Sequence, residues 1–128
     1  MRTYANHLRE AGIYKVEGNG PESCELPPYS SFVLVRVPIR IEGQGQRGAA
    51  AFHYSIGSFL GRETTLPLQT GFETVLRFRI PLELFRSREH LIVTVLESSP
   101  AGERRTLWLK RWEVTWQGKT PSLEPMAE

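Results

Sequence analysis

Two segments of this chain alternate apolar and polar residues with almost no interruption. In residues 72–84 the even positions are mostly Phe, Leu or Ile, and Glu or Arg fills most odd positions. In residues 32–42 the odd positions are Val or Ile, and from Arg36 onward the even positions are Arg, Pro or Glu. A period of two is typical of a strand with one dry face and one wet face. These segments predict an all-β protein, and we expect an antiparallel β-sandwich.

Shorter strand-like segments follow along the chain. Residues 49–59 predict a further strand. Residues 64–69 predict an edge strand, because Pro67 lacks the N–H that a central strand donates. Residues 90–97 are apolar on both parities, which predicts a central strand covered on both faces.

Residues 104–117 admit two interpretations. Trp108, Trp112 and Trp116 recur every four residues, as they would on one face of an amphipathic helix. The segment is also rich in Trp, Val and Thr, which favour strands, and it follows residues 90–97 after a short connection. We interpret it as a strand that pairs with residues 90–97 and leaves its other edge open.

The two ends of the chain lack this regular alternation. Residues 1–30 are predicted to be an N-terminal extension, with a short helix or irregular segment over residues 3–11 and a brief strand at residues 13–16. Residues 31–117 are the predicted β-sandwich domain. Residues 118–128, with Pro121 and Pro125, are predicted to be a loosely ordered polar tail.

The parity of the strands also predicts the residues between the two sheets. These are the inward positions of the strands over residues 32–42, 49–59, 72–84 and 90–97. The predicted core is Val35, Val37, Ile39, Phe52, Tyr54, Leu76, Phe78, Ile80, Val93 and Val95.

Composition limits the possible functions. A chain of 128 residues suits one domain, and a net charge of +2 makes nucleic acid an unlikely partner. All 14 acidic residues are Glu, and Cys24 is the single cysteine, so no intrachain disulfide can form. No secretory signal and no apolar stretch of membrane-spanning length is visible. We expect a soluble protein, cytoplasmic by default, with an exported mature chain left open.

No catalytic or metal-binding arrangement stands out, so we expect no enzymatic activity, no metal and no cofactor. His7, His53 and His90 lie in different elements and share no metal-ligand spacing. Glu73 and Glu83 could act as a glycosidase pair, but the arginines between them make cross-strand ion pairing the simpler interpretation.

Two groups of residues are candidate partner surfaces. The first comprises Trp108, Lys110, Trp112 and Trp116 on the last predicted strand, although a core role for two of the three tryptophans is favoured. The second comprises Arg36, Arg40, Arg77 and Arg79 on the wet parity of two strands. This stripe could meet phosphates or an acidic protein, and a solvated face balanced by glutamates is the simpler alternative.

The order of segments in the second half resembles a known fold family. Residues 78–85 read Phe-Arg-Ile-Pro-Leu-Glu-Leu-Phe, and residues 90–97 read His-Leu-Ile-Val-Thr-Val-Leu-Glu. A strand, a short corner and an apolar strand in this order resemble the late crossover of immunoglobulin-like sandwiches. The resemblance covers residues 32–117 as a pattern of strands, and it implies accessory or interaction domains.

The combined expectation is a non-enzymatic interaction module. Its partner is expected to be another protein, with the chain acting as a subunit or accessory domain of a larger assembly. The alternative is a carbohydrate-binding module that stacks sugars on the tryptophans of the last strand. An enzyme using scattered Glu and His ranks third, and a homo-oligomer stays open.

Overall fold

Two antiparallel β-sheets pack face to face in this protein. The computed structural model describes residues 12–18, 20–21, 23–45, 48–98 and 102–126. No α-helix occurs among them, which confirms the predicted all-β sandwich. The finer immunoglobulin-like assignment stays a prediction, and the helix expected over residues 3–11 lies outside the described residues.

Sheet A is narrow and has one long central strand. Its strands are β1 Gly12–Gly18, β2 Ser23–Glu25, β3 Phe32–Gly45 and β7 Glu73–Pro81. Strand β3 is bordered on one side by β7, while β1 and β2 follow one another along its other side. Strands β1 and β2 therefore form one edge of sheet A, with a gap between them.

Sheet B is wider. Its strands are β4 Gly48–Ile56, β5 Phe59–Leu60, β6 Thr64–Leu68, β8 His90–Ser98, β9 Arg104–Gln117 and β10 Thr120–Pro125. They run in the order β10, β9, β8, β4, and both β5 and β6 pair with the remaining edge of β4. A 3-10 turn, Leu82–Leu84, follows β7, so the strand predicted over residues 72–84 ends earlier than expected.

The chain crosses between the sheets after β3, after β6 and after β7. The connection between β3 and β4 leads from one sheet to the other, so these two strands do not form a hairpin. Strand β3 pairs with strands of sheet A, whereas β4 pairs with β5, β6 and β8 of sheet B. The apolar face of β3 packs against sheet B, the sheet to which β4 belongs.

The core lies where the inward parities of both sheets meet. Nine of the ten predicted core residues are buried, and Phe52 is partly buried and packed against the others. Phe78 of β7 makes edge-to-face contacts with Phe52 and Tyr54 of β4, at centroid distances of 5.8 and 5.4 Å. These contacts place β7 over β4 and fix how the two sheets overlap.

The sandwich extends beyond the boundaries expected at residues 31 and 117. Strands β1 and β2 belong to sheet A, and Thr120–Pro125 form β10, which pairs with residues 112–117 of β9. Gly118 adopts a φ of 62° in the connecting turn, a conformation that glycine tolerates. Pro121 and Leu123 then face inward and are buried. The residues expected to form a loose tail therefore form an edge strand.

The burial of Phe78 gives a direct test of the sheet parity. Phe78→Ala is expected to lower the free energy of unfolding by about 3–5 kcal/mol, because it removes a buried ring and leaves a cavity. Chemical denaturation followed by circular dichroism measures this loss. Arg77→Ala, on the exposed face of the same strand, is the control and is expected to stay within about 0.5 kcal/mol. A loss below about 1 kcal/mol for Phe78→Ala would show that the parity is wrong.

Candidate functional site

Two of the three tryptophans of β9 use their ring nitrogens inside the protein. Trp112 is fully buried, and its Nε1 donates a hydrogen bond to the carbonyl oxygen of Gly20 at 3.1 Å. Trp116 is partly buried, and its Nε1 donates a hydrogen bond to the carbonyl oxygen of Phe85 at 2.8 Å. The indole of Trp116 also packs edge to face against the phenyl ring of Phe85. Trp112 therefore links sheet B to the gap between β1 and β2 in sheet A. Trp116 links sheet B to the turn after β7.

Trp108 has a different environment at the margin of the core. It is partly buried, and its ring lies against Gly18, the last residue of β1. It also lines an open groove of about 880 Å³. The other lining residues come from β1, β3 and β7, and are Glu17, Gly18, Pro38, Ile39, Arg40, Glu73, Thr74 and Val75.

The edge of β9 is only partly open. The expectation that this edge has no neighbour is wrong for residues 112–117, which pair with β10. Among the described residues no strand pairs with residues 104–110 on that side. In this part of β9 the pairing with β8 shifts in register between Val95 and Leu96, which marks a β-bulge. Lys110 lies on the same, inward-facing side of β9 as Trp112. A bulge and an inward-pointing charge are known devices against edge-to-edge pairing, so this edge is poorly suited to adding a strand.

The four predicted arginines all lie on the outer face of sheet A. Arg36 stands directly opposite Arg77 in the register, and its Nη1 lies 3.2 Å from Glu25 Oε1. The guanidinium of Arg79 lies 4.7 Å from the ring centroid of Phe32, a cation–π contact.

Arg40 is held within a group of carboxylates on the same face. It forms ion pairs with Glu42 and with Glu73, the latter at 2.9 Å. The hydrogen bond to Glu42 and the charges of both carboxylates raise the pKa of Arg40. Arg40 is therefore engaged, whereas Arg77 makes no hydrogen bond or ion pair with the described residues.

An apolar outer surface on sheet B was missed at the level of sequence. The outward parity of β8 carries Ile92 and Leu96, and Leu109 of β9 lies in the neighbouring row. Leu60 of β5 lies in the row of Ile92 and is 66% exposed. We call Leu60, Ile92, Leu96 and Leu109 the outer apolar face. The signal was present in the apolar residues on both parities of β8, but it predicted cover on both sides.

In the described part of the chain, sheet A covers only the inner face of β8. Ile92, Leu96 and Leu109 are half-buried by their neighbours and do not pack against the core. The expectation that β8 is covered on both faces is therefore not met by the described residues.

Two titratable side chains of the described residues, His53 and Cys24, are partly buried. His53 Nδ1 is buried without a hydrogen bond and lies 3.9 Å from Glu63 Oε2, which pairs with Arg104. The described residues contain no group of three His, Cys or Glu close enough to hold a metal ion. Burial, and secondarily the charge of Glu25, raises the pKa of Cys24 to about 11. This thiol stays protonated and weakly nucleophilic near neutral pH.

Comparisons with known proteins do not identify a family. No protein-family model matches the chain, and no curated protein matches it. Among solved structures, the chain is similar to a selenomethionine-labelled β-glucosidase from Kluyveromyces marxianus, with a TM-score of 0.40 and 12% identity. The match covers 88% of this chain and 15% of the β-glucosidase chain, so this chain spans a small part of that enzyme's length. A similarity at this TM-score carries no argument about function. Within the described residues, no helix has the length and apolar character needed to cross a membrane.

The hydrogen bond of Trp112 can be separated from its packing. Trp112→Phe keeps an aromatic ring but leaves the Gly20 carbonyl without its donor, so the free energy of unfolding is expected to fall by about 1–3 kcal/mol. Trp112→Ala also creates a cavity and is expected to cost about 3–5 kcal/mol. Chemical denaturation provides both values.

Trp108→Phe is the matched control on the same strand. Its ring is partly exposed, so its replacement is expected to cost less than about 1 kcal/mol. Equal losses for Trp112→Phe and Trp108→Phe would contradict a structural role for the Trp112 hydrogen bond.

Proposed function

We propose that this protein is a non-enzymatic β-sandwich interaction module that docks onto another protein, as a subunit or accessory domain of a larger assembly. The outer apolar face of sheet B is the observation that carries the proposal. Its residues lie on the two strands at the middle of the sheet, β8 and β9, and on the short edge strand β5. Ser55 of β4 lies between Leu60 and Ile92 in their row, so Ile92, Leu96 and Leu109 form the compact part of the face.

The composition of this face fits a protein partner. Thr94 and Leu109 stand opposite one another at its centre, and Thr94 is 9% exposed. The rim carries charges, with Arg111 beside Ile92 and the Glu63–Arg104 ion pair near His53. Aliphatic residues within a polar rim are the usual anatomy of a protein–protein interface.

Docking through this face is favoured over the addition of a strand. The open part of β9 is shifted in register beside Leu107 and carries the inward-pointing Lys110. Both features oppose a new strand at that edge. A partner that packs side chains onto the sheet surface needs no backbone pairing, so it avoids this obstacle.

A charge placed at the centre of the face tests the proposal. A partner is first captured with the wild-type protein from its native source, identified by mass spectrometry and purified. Leu109→Lys is expected to weaken its binding at least about tenfold, because a charge is then desolvated against an apolar contact. Isothermal titration calorimetry measures the dissociation constant, and thermal melting checks the fold.

Thr120→Lys supplies the matched control. Thr120 is exposed on β10, the edge strand of sheet B that lies farthest from β5. This variant is expected to bind like the wild type. Unchanged binding of the purified partner to Leu109→Lys would place the docking surface elsewhere and contradict the proposal.

A carbohydrate-binding module is the second candidate, and Trp108 is the observation that favours it. Its partly exposed ring lines the groove together with Glu17 and Glu73. Sugar recognition combines an aromatic surface with polar groups that bind hydroxyls, and this groove offers both. Trp112 and Trp116 do not share that position, because their ring nitrogens are engaged inside the protein.

Fluorescence distinguishes the carbohydrate candidate from the protein-docking candidate. If the groove binds sugars, a member of an oligosaccharide panel shifts the tryptophan emission of the wild type, and Trp108→Ala abolishes the shift. Thr120→Lys serves again as the control, with an expected response equal to that of the wild type. Absence of a response to every oligosaccharide at millimolar concentration would eliminate the carbohydrate candidate.

A further inference from the structure

One ion pair joins parts of the chain that are separated within sheet B. Nη2 of Arg104, at the start of β9, lies 2.6 Å from Oε2 of Glu63, the residue that precedes β6. Strands β8 and β4 lie between β9 and β6 in the sheet. The two side chains therefore have to bridge these strands in order to meet.

His53 of β4 shows on which side of the sheet this bridge lies. Its neighbour Tyr54 is buried in the core, so His53 points to the outer face. The Nδ1 atom of His53 lies 3.9 Å from the same Oε2 atom of Glu63 that accepts the hydrogen bond from Arg104. The guanidinium of Arg104 therefore lies over β4 on the outer face, whereas its backbone belongs to β9.

The side chain of Arg104 has to pass over β8 to reach that position. In the register Arg104 stands opposite Ser98, and His53 stands opposite Thr94. Leu96, a member of the outer apolar face, lies between Ser98 and Thr94 on the same side of β8. The methylene stem of an arginine can cover apolar surface while its charged head stays in a polar environment. The bridge thus runs across the part of the outer face that Leu96 and Thr94 occupy.

The burial of two outward-facing side chains agrees with a cover at this place. Thr94 points outward from β8, yet it is 9% exposed. The side chain of His53 is 16% exposed, and its Nδ1 atom is buried with no hydrogen bond to the described residues. In the described part of the chain, sheet A packs on the inner side of β4 and β8, so it does not provide this burial. The bridge between Arg104 and Glu63 lies where the burial occurs.

We propose that the Arg104–Glu63 ion pair is a strap that shields the outer apolar face in the free protein and is displaced when a partner docks. This inference rests on the docking proposed for that face and adds its regulation. The side chains of the pair are 44% and 42% exposed, and exposed ion pairs contribute little to stability, so displacement costs little. Displacement uncovers Leu96 and Thr94, and it frees the guanidinium of Arg104 to pair with an acidic group of the partner.

The reactivity of His53 tests the strap in the isolated protein. Diethyl pyrocarbonate modifies neutral imidazole nitrogens, and peptide mass spectrometry gives the modification rate of each histidine. The reaction is run at about pH 8, where a histidine is mostly neutral. Glu63→Gln and Arg104→Ala are each expected to raise the rate at His53 at least about threefold, because the cover opens. The rate at His90, which is exposed, is expected to stay unchanged and serves as the internal reference.

Glu25→Gln is the matched control. It removes one carboxylate from an exposed ion pair, Arg36–Glu25, on the outer face of sheet A, and it is expected to leave the rate at His53 unchanged. Salt gives a second control, because about 1 M NaCl screens exposed charges. It is expected to raise the rate at His53 in the wild type and to change it little in Glu63→Gln. Circular dichroism confirms that every variant is folded.

Calorimetry with the purified partner tests the regulatory role of the strap. Glu63→Gln is expected to bind the partner about three- to tenfold more tightly than the wild type, because its docking face is uncovered before the partner arrives. Glu25→Gln is expected to bind like the wild type.

Two outcomes would overturn the inference. Equal His53 rates in the wild type, Glu63→Gln and Arg104→Ala would show that no strap forms, whether or not the face binds a partner. Raised rates together with an unchanged or weaker affinity of Glu63→Gln would rule out the regulatory role. Unchanged binding of Leu109→Lys would instead contradict docking at this face, and the His53 rates would still show whether the strap forms.

Discussion

The contact between Trp112 and Gly20 is the constraint on which the rest of this sandwich depends. The edge of sheet A is interrupted between β1 and β2, and an interrupted edge exposes the core beneath it. The indole of Trp112 fills that place from sheet B and donates to the Gly20 carbonyl. A Cβ at position 20 would lie 2.9 Å from Val37 Cγ1 and 3.4 Å from Trp112, so this close packing requires glycine. The break is thereby stabilised by the opposite sheet and needs no neighbouring strand.

The same contact is part of the packing between the inner faces of the two sheets. With Trp112 and Trp116 engaged inside the protein, the inner faces of both sheets are used for packing. The two outer faces differ in chemistry, because sheet B presents aliphatic side chains at its centre and sheet A presents rows of Arg and Glu. Trp108 lies on sheet B, and its ring packs against Gly18, the last residue of β1 in sheet A. Gly18, the last residue of β1, also lines the groove.

Sequence reasoning succeeded where the structure follows from local parity. The alternation in β3 and β7 identified the buried residues because one strand face is determined by neighbours two residues apart. It failed at β10, where Pro121 and Pro125 were read as breakers although Thr120–Pro125 also alternates. Proline is tolerated in an edge strand, and edge position depends on the whole sheet. Parity likewise placed the three tryptophans on one side of β9. It could not show that Trp108 reaches beyond the cover of sheet A, because that depends on where β1 ends.

The opposed outer faces also separate the two candidate binding positions. In a sandwich the outer faces of the two sheets point away from each other, so a partner on the outer apolar face of sheet B leaves sheet A uncovered. The groove is lined by residues of β1, β3 and β7 of sheet A together with Trp108. Occupation of one position therefore does not obstruct the other, and substitutions at the two positions are expected to act independently because the two sets share no residue.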